Sequence, residues 1–465
     1  MDRLPIKNGI LKAEEDGTLE FKSAAKGLPR SMWETYSAFA NTFGGTIVLG
    51  VDNQTHAVEG VSDADRMIQT IWDSLNNPQI VNRNILYADD IRKYDADGKT
   101  LIIVTVPRAE RFLRPIYYKS LETGTFKRNG EGDFRCSMLD IAAMFRDQMS
   151  GSYDTTVLEK TSFDHVDLDT LHGFRNEMKV SNPDHMWNDL SDEEFLRVIG
   201  GIGLSSDALT VAGLLMFGKE YAINACFPSF KLDYIEYLED DTAWLYRKVT
   251  GDGSWNGNIY NFFNTVRSRI SSEFDRPLVI GADMRRVIDT DVHKAVRECL
   301  LNTLIHADYL GDLVVKICRY QKQVVLMNSG LFRIPLETAE KGGSSDPRNK
   351  TIAKMFSLIG LVERAGVGVN FICNTWRKYF GIEPTIIEDV DKQRVIFKLP
   401  TEVEEEITMD ELIVEMIAHD PAVSAVRMAT ELKVSVPTVK NHLKAMKDAG
   451  IIRRVGGTRG VWEVV

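Results

Sequence analysis

Arg297-Glu-Cys-Leu-Leu-Asn-Thr-Leu-Ile-His-Ala-Asp-Tyr309 spaces Glu298, Asn302 and His306 four residues apart. On a helix that interval aligns the three polar side chains on one face. Val296, Leu300, Leu301, Leu304 and Ile305 crowd the remainder of the helix, so the polar stripe is partly enclosed and lines something. Three readings of the stripe stay open: a solvated face, a buried polar cluster whose members satisfy one another, or a site. Downstream, Leu313-Val-Val-Lys-Ile-Cys-Arg-Tyr320 and Gln323-Val-Val-Leu-Met327 are β-branched runs predicted to pair as a hairpin, and Arg394-Val-Ile-Phe-Lys-Leu399 is a further strand. A helix followed by strands makes this region mixed α/β.

The chain around it has 465 residues, a length that implies about three domains at roughly 150 residues each. Lys and Arg number 56 against 67 Asp and Glu, a net charge of −11, so any nucleic-acid surface must be a local patch. Apolar runs such as Leu101-Ile-Ile-Val-Thr-Val106 and Leu214-Leu-Met-Phe217 fall far short of the roughly 18 residues that span a bilayer. Met1-Asp-Arg-Leu-Pro-Ile-Lys-Asn8 lacks the apolar core of a secretion signal. The expectation is a cytoplasmic protein with no membrane partner. Cys136, Cys226, Cys299, Cys318 and Cys373 are odd in number and widely spaced, which suits core positions rather than disulfides or zinc ligation.

Changes in composition predict four segments. Gln148-Met-Ser-Gly-Ser-Tyr-Asp154 ends a helical pattern, and the acidic run Thr401-Glu-Val-Glu-Glu-Glu406 separates a strand from an amphipathic tail. Residues 8–150 form the first unit, 151–290 a connecting α/β scaffold, 291–400 the region of the polar stripe, and 407–465 the tail. In the first unit a helix from Arg30 to Phe43 breaks at Gly44-Gly45 before the strand Thr46-Ile-Val-Leu-Gly-Val51. Asn41 is predicted to close that helix, with the glycines at positive φ. Glu15, Glu20 and Asp52 are either solvated surface or a carboxylate set able to hold a divalent metal for phosphodiester hydrolysis. Lys22, Lys26, Arg30, Arg111, Arg114, Lys127 and Arg128 are either scattered surface cations or a phosphate-tracking surface, for which Lys22, Arg114 and Arg128 are the candidate contacts.

In the tail, helices are predicted over Met409–Ala418 and Val426–Leu432. Ser435 caps a third through Lys447, and Ile451-Ile-Arg-Arg-Val455 with Gly460-Val-Trp-Glu-Val464 makes a hairpin. Three helices and a hairpin are a winged helix-turn-helix. From Lys433 onward seven basic residues face two acidic ones, a local +5 that fits a phosphate-facing surface. Thr438, Lys440, Asn441 and Lys444 are then predicted to face a DNA major groove, and Arg453, Arg454 and Arg459 on the wing to contact backbone or minor groove. A winged helix used only for dimerisation is the competing reading.

Two resemblances extend these readings. Glu15-x4-Glu20-Phe21-Lys22, Ser37-Ala-Phe-Ala-Asn-Thr-Phe-Gly-Gly-Thr46, Gly50-Val-Asp-Asn53, Arg114-Pro-Ile-Tyr117 and Thr125-Phe-Lys-Arg-Asn-Gly130 together resemble the Schlafen AlbA-like domain. The resemblance implies a nucleic-acid-binding α/β fold, used in bacterial transcriptional regulators and, in animal Schlafens, as an RNA or tRNA endonuclease. Nuclease members join the two glutamates to a third carboxylate just past the Gly-Val strand. Here that position falls on Asn53, with Asp52 one residue early.

The stretch around Glu298 resembles the N-box of GHKL-type ATP-binding folds, in the divergent form found beside AlbA-like domains in RecG-like proteins. Asn328-Ser-Gly-Leu331 is similar to the divergent family's NPG turn with Ser329 in place of Pro, Asp346-Pro-Arg-Asn349 to its RNP lid, and Glu363-Arg-Ala-Gly-Val-Gly-Val369 to its second glycine box. The resemblance implies Glu298 as a water-activating base and Asn302 as the Mg²⁺ ligand. His306, Asn328, Gly330, Arg348, Asn349, Gly366 and Gly368 would complete the contacts to ATP or a related nucleotide. The adenine-reading Asp of true GHKL enzymes, expected near Asn328, is absent, so weak, base-tolerant binding with slow or no hydrolysis is expected. The whole predicts an α/β (α+β multidomain) protein: an AlbA-like domain, a GHKL-like α/β sandwich and a C-terminal winged helix. Its expected function is that of a DNA-binding transcriptional regulator, homo-oligomeric, with a nucleotide ligand. The alternatives are an RNA or DNA nuclease using Glu15 and Glu20, and a non-catalytic scaffold.

Overall fold

A computed structural model describes residues 5–7, 9–238, 243–271, 290–311, 315–362, 366–402, 409–456 and 460–464. They divide between Thr401 and Glu402 into two compact units.

The larger unit begins with β1 (Leu19–Lys22), α1 (Ser31–Asn41) and β2 (Gly45–Leu49), the two strands lying parallel with Glu20 opposite Ile47. Nearly every side chain of α1 is buried, as an apolar helix crossing its own sheet requires. The turn into β2 needs glycine: Gly44 has φ +78°, and a Cβ there would lie 2.8 Å from the Val106 carbonyl oxygen and the Arg108 nitrogen. Asn41 does more than end the helix. Its Nδ2 donates to the carbonyls of Ile116 (2.8 Å) and Phe126 (3.0 Å), and its Oδ1 accepts from Ile116 N (2.8 Å), so a buried amide clamps α1 to two later segments. β3 (Ile91–Ala96) and β4 (Lys99–Val106) complete a four-stranded sheet in the order β1-β2-β4-β3. A hairpin of β5 (Phe126–Asn129) and β6 (Gly132–Arg135) follows. Next comes α3 (Met138–Gln148), which comes after α2 (Ala64–Leu75) in the chain and is opened by a Ser137–Asp140 capping box.

The sequence reading sets 151–290 apart as a connecting scaffold, and the structure corrects this. β7 (Leu232–Tyr237) and β8 (Trp244–Val249) from that stretch join β9 (Val315–Arg319), β10 (Gln323–Ser329), β11 (Thr385–Asp389) and β12 (Arg394–Pro400) in one six-stranded sheet, ordered β8-β7-β9-β10-β12-β11. β7 and β9 run parallel and the other pairs antiparallel. One hydrophobic core runs from Val166 to Leu399 beneath it. The cause is plain in α4 (Val211–Phe217), all of whose residues are buried: a helix apolar all round cannot connect domains through solvent. Packed in the same core are α5 (Ile259–Ser271), α6 (Asp291–His306), α7 (Lys350–Leu358) and α8 (Gly368–Phe380).

In the smaller unit α9 (Met409–His419), α10 (Ala425–Glu431) and α11 (Val436–Asp448) enclose Ile413, Ile417, Val439, Leu443 and Met446, and β13 (Ile452–Val455) pairs with β14 (Val461–Val464). Ser435 Oγ accepts from Thr438 N at 3.2 Å and caps α11. No helix among the described residues is long and apolar enough to cross a membrane. Because Asn41→Ala would remove the side-chain partner of the Ile116 amide and the Phe126 carbonyl, leaving the Ile116 carbonyl to Ser37 Oγ alone, it is expected to lower the stability of the larger unit by about 3 kcal/mol, read as a loss in its denaturation midpoint with the winged-helix transition unmoved.

Candidate functional site

The polar stripe of α6 opens on a cavity of about 400 Å³. Glu298, Asn302 and His306 line one side, Asn328 and Gly330 the end of β10, and Gly366 and Gly368 the entry to α8. Ile305, Leu331, Phe332 and Phe397 make apolar walls. Asn302 Nδ2 donates to Glu298 Oε1 at 3.3 Å. The start of α8 presses on this pair: a Cβ on Gly368 would collide with the Glu298 carboxylate and lie 3.0 Å from Asn302 Nδ2. Gly366 has φ +62° and a Cβ there would lie 2.8 Å from the Ser344 carbonyl carbon, so both glycines are set by close approach. Val367, at the N-cap of α8, supplies no side-chain acceptor to the first turn, whose Gly368 and Val369 line the cavity. Burial, with Arg348 and Arg333 nearby, lowers the His306 imidazole to about 4, so it is neutral at pH 7. Asn328 is buried and its Nδ2 donates to the Ser329 carbonyl at 2.9 Å.

Two residues read as nucleotide contacts are corrected. Arg348 gives Nη2 to both Asp147 oxygens at 2.9 Å, Nη1 to the His306 carbonyl at 2.5 Å and Nη2 again to the Leu331 carbonyl at 3.1 Å. A guanidinium so engaged faces the protein and is not offered to phosphate. Asn349 Nδ2 donates to the carbonyls of Ile305 (2.9 Å) and Ala307 (2.8 Å), closing the C-terminal end of α6. The start of α7 is likewise filled from within, since Asp154 Oδ2 accepts from Thr351 N (2.7 Å) and Ile352 N (2.9 Å). Asp147, Asp154 and Arg333 escape sequence reasoning because nothing local marks them. Asp147 lies 186 residues from Arg333 and 201 from Arg348.

Glu15 and Glu20 lie close enough to repel one another, but with Asp52 they do not form a three-carboxylate cluster. Glu15 Oε1 accepts from Phe21 N at 2.6 Å, and burial raises its pKa against that bond. Glu20 is buried between Lys22 (2.5 Å) and Arg128 (2.8 Å). Asp52 sits in an exposed turn, accepting from Thr55 N (2.8 Å) and Thr55 Oγ1 (2.7 Å), which lowers its pKa. Among the described residues no three Asp, Glu, His or Cys side chains converge to hold a metal ion, so the Glu15, Glu20 and Asp52 set is not assembled. The same ion pairs correct the phosphate contacts. Arg128 is 2% exposed, bound to Glu20, to Asp133 (2.9 Å) and to the Asp16 carbonyl (2.8 Å). Arg114 is 5% exposed, and burial beside Arg108 pulls it down to about 10. Lys22 is spent on Glu20.

On α11 of the smaller unit Lys440, Asn441 and Lys444 are exposed, whereas Thr438 is half-buried against Ser435. Arg453 pairs with Glu463 at 2.7 Å and Arg454 lies 4.9 Å from the Trp462 ring centre, both on the exposed wing. Arg459 lies outside the described residues, as do 363–365 of the second glycine box and most of the acidic linker.

Family models match the chain in four consecutive stretches. They are "Schlafen, AlbA_2" over residues 15–137, a domain of unknown function over 142–233, "Putative ATP-dependent DNA helicase recG C-terminal" over 313–397 and "Winged helix-turn-helix DNA-binding" over 408–453. The α/β multidomain architecture read from the sequence is thus matched module by module. Among solved structures, the chain is similar to the DIP2311 protein of Corynebacterium diphtheriae. The two are 18% identical over 99% of this chain and 94% of that one, with a TM-score of 0.43. It is also similar to the N-terminal domain of a RecG-related protein from Nitrosomonas europaea, at 29% identity over 27% of this chain and 86% of that one, with a TM-score of 0.21. Comparison with curated proteins returns no significant match.

An unfolded histidine takes its proton near 6.5 and His306 near 4. Between those values the unfolded state binds more protons, so stability falls as the pH drops through this window. The expected loss is roughly 3 kcal/mol at most, and His306→Gln should remove that portion of the acid dependence of the larger unit's unfolding.

Proposed function

We propose that the chain is a DNA-binding transcriptional regulator whose central cavity takes a nucleotide with Mg²⁺. The observation that supports this reading best is convergence. Glu298, Asn302 and His306, then Asn328 and Gly330, then Gly366 and Gly368, come from three separated stretches and line one cavity. The residues fit the group: without a Cβ at Gly368 the first turn of α8 comes against Glu298 and Asn302, where its amides suit phosphate oxygens. Asn302 would hold the Mg²⁺ ion, whose charge offsets that of the phosphates. Glu298 would orient water, and the neutral ring of His306 adds no charge beside them. The apolar walls, with the lining Asp346 already paired to Arg111, accommodate a base without choosing among bases. In the smaller unit Lys440, Asn441 and Lys444 present two cations and one amide on a single helix, a combination suited to phosphate contact and adenine readout in a major groove. A homo-oligomer would set two such helices on paired half-sites.

Calorimetry with ATP, GTP and a non-hydrolysable ATP analogue in Mg²⁺ is expected to give comparable, weak heats. Asn302→Ala should cost at least tenfold in affinity, while Glu298→Gln keeps binding and loses turnover. No heat from any of the three overturns the nucleotide part of the reading. For the tail, replacing Lys440 and Lys444 together with Ala should weaken DNA binding and reduce the slope of log affinity against log salt by about 2. An unchanged slope overturns the DNA-facing assignment of α11.

A further inference from the structure

The first module meets the cavity through buried charge. Asp147, near the C-terminal end of α3, accepts from Arg348 Nη2 at 2.9 Å with each oxygen and from Arg333 Nε at 3.0 Å. Arg333 lines the cavity. Arg348 reaches from Asp147 to the carbonyls of His306 and Leu331, which also line it. Gly330 is bare at the crossing, since a Cβ there would collide with the Arg348 guanidinium. Arg111 of the first module binds Asp346, another lining residue, and donates to the Asp147 carbonyl at 2.5 Å. Several lining residues are therefore held, directly or through Arg348, by the side chains of Asp147 and Arg111.

We infer that Asp147 is a positioning residue of the cavity: its carboxylate fixes Arg333 in the wall that a ligand meets and Arg348 behind it, so docking of the first module and ligand affinity form one coupled equilibrium. Three arginines and two aspartates share this buried volume, and removing one carboxylate leaves arginine charge without a partner. Burial opposes ionisation of Asp147, yet Arg348 and Arg333 outweigh it and hold the carboxyl at about 2, so the pairing persists at physiological pH. If Asp147 favours the binding-competent wall, a bound ligand must favour the docked first module by the same factor. The inference rests on the nucleotide reading for its ligand and on the ion pairs alone for its wall.

The test compares the full chain with Asp147→Asn, which keeps volume and removes charge. Asp391→Asn serves as control, because it removes the Lys127 ion pair of the same interface and touches no lining residue. Asp147→Asn is expected to speed amide exchange at 302–306 and 344–350 in ligand-free protein and to weaken a non-hydrolysable ATP analogue with Mg²⁺ at least tenfold. Asp147→Glu should recover part of both, Asp391→Asn should change neither, and the analogue should slow exchange over 138–149 in the wild type. Unchanged exchange in ligand-free Asp147→Asn overturns the inference, as does faster exchange with wild-type affinity. A wild type that binds no analogue, beside a loosened wall in Asp147→Asn, removes the nucleotide reading and leaves Asp147's hold on the wall standing. Should Asp147→Asn not fold, Arg333→Lys, which keeps the charge with fewer donors, is read by the same two measurements and the same outcomes.

Discussion

The carboxylate of Asp147, shared by Arg333 and Arg348 in a buried volume, ties the two halves of the larger unit together. Its energetics are those of a desolvated network: the attraction mainly repays the cost of burial, while the loss of any member is severe. The first module can dock in the one orientation that brings Asp147 to both guanidiniums, Arg108 to Glu388 at 2.8 Å and Arg146 to Asp308 at 2.6 Å.

Arginine is used here as an internal fastener, and that use reshapes the functional picture. Arg114, Arg128 and Arg348 are cations on family-like motifs, and each is buried. Arg128 pairs with Glu20, so a single ion pair withdraws both a carboxylate from a metal set and a cation from a phosphate surface. The exposed tail contrasts with this. Its lysines on α11 stand in solvent, the setting in which cations can bind nucleic acid through release of its counterions.

Around the cavity, glycine performs the complementary task. Gly330 lets a guanidinium cross, Gly368 lets a helix start against Glu298 and Asn302, and Gly366 lets the chain turn beside Ser344. Polar groups are thereby brought closer than side chains elsewhere would permit, and the cavity's shape is fixed by what these positions lack.

Local physics made much of this legible. The four-residue interval of Glu298, Asn302 and His306 did place them on one face of α6, because helical periodicity acts within a turn or two. The strand runs at 315–319, 323–329 and 394–400, the turn at Gly44 and the Ser435 cap follow from equally short-range rules. The resemblances to known families named the modules. What the sequence could not decide is pairing at long range. That β7 and β8 join the sheet of β9 and β10, that Arg348 turns to Asp147 rather than to the cavity, and that Arg128 is spent on Glu20 depend on partners brought together by the global path of the chain. A charged side chain reads the same in sequence whether it meets water or a buried counter-charge. Only the tertiary structure sets which of the two it meets, because desolvation is a property of everything packed around it.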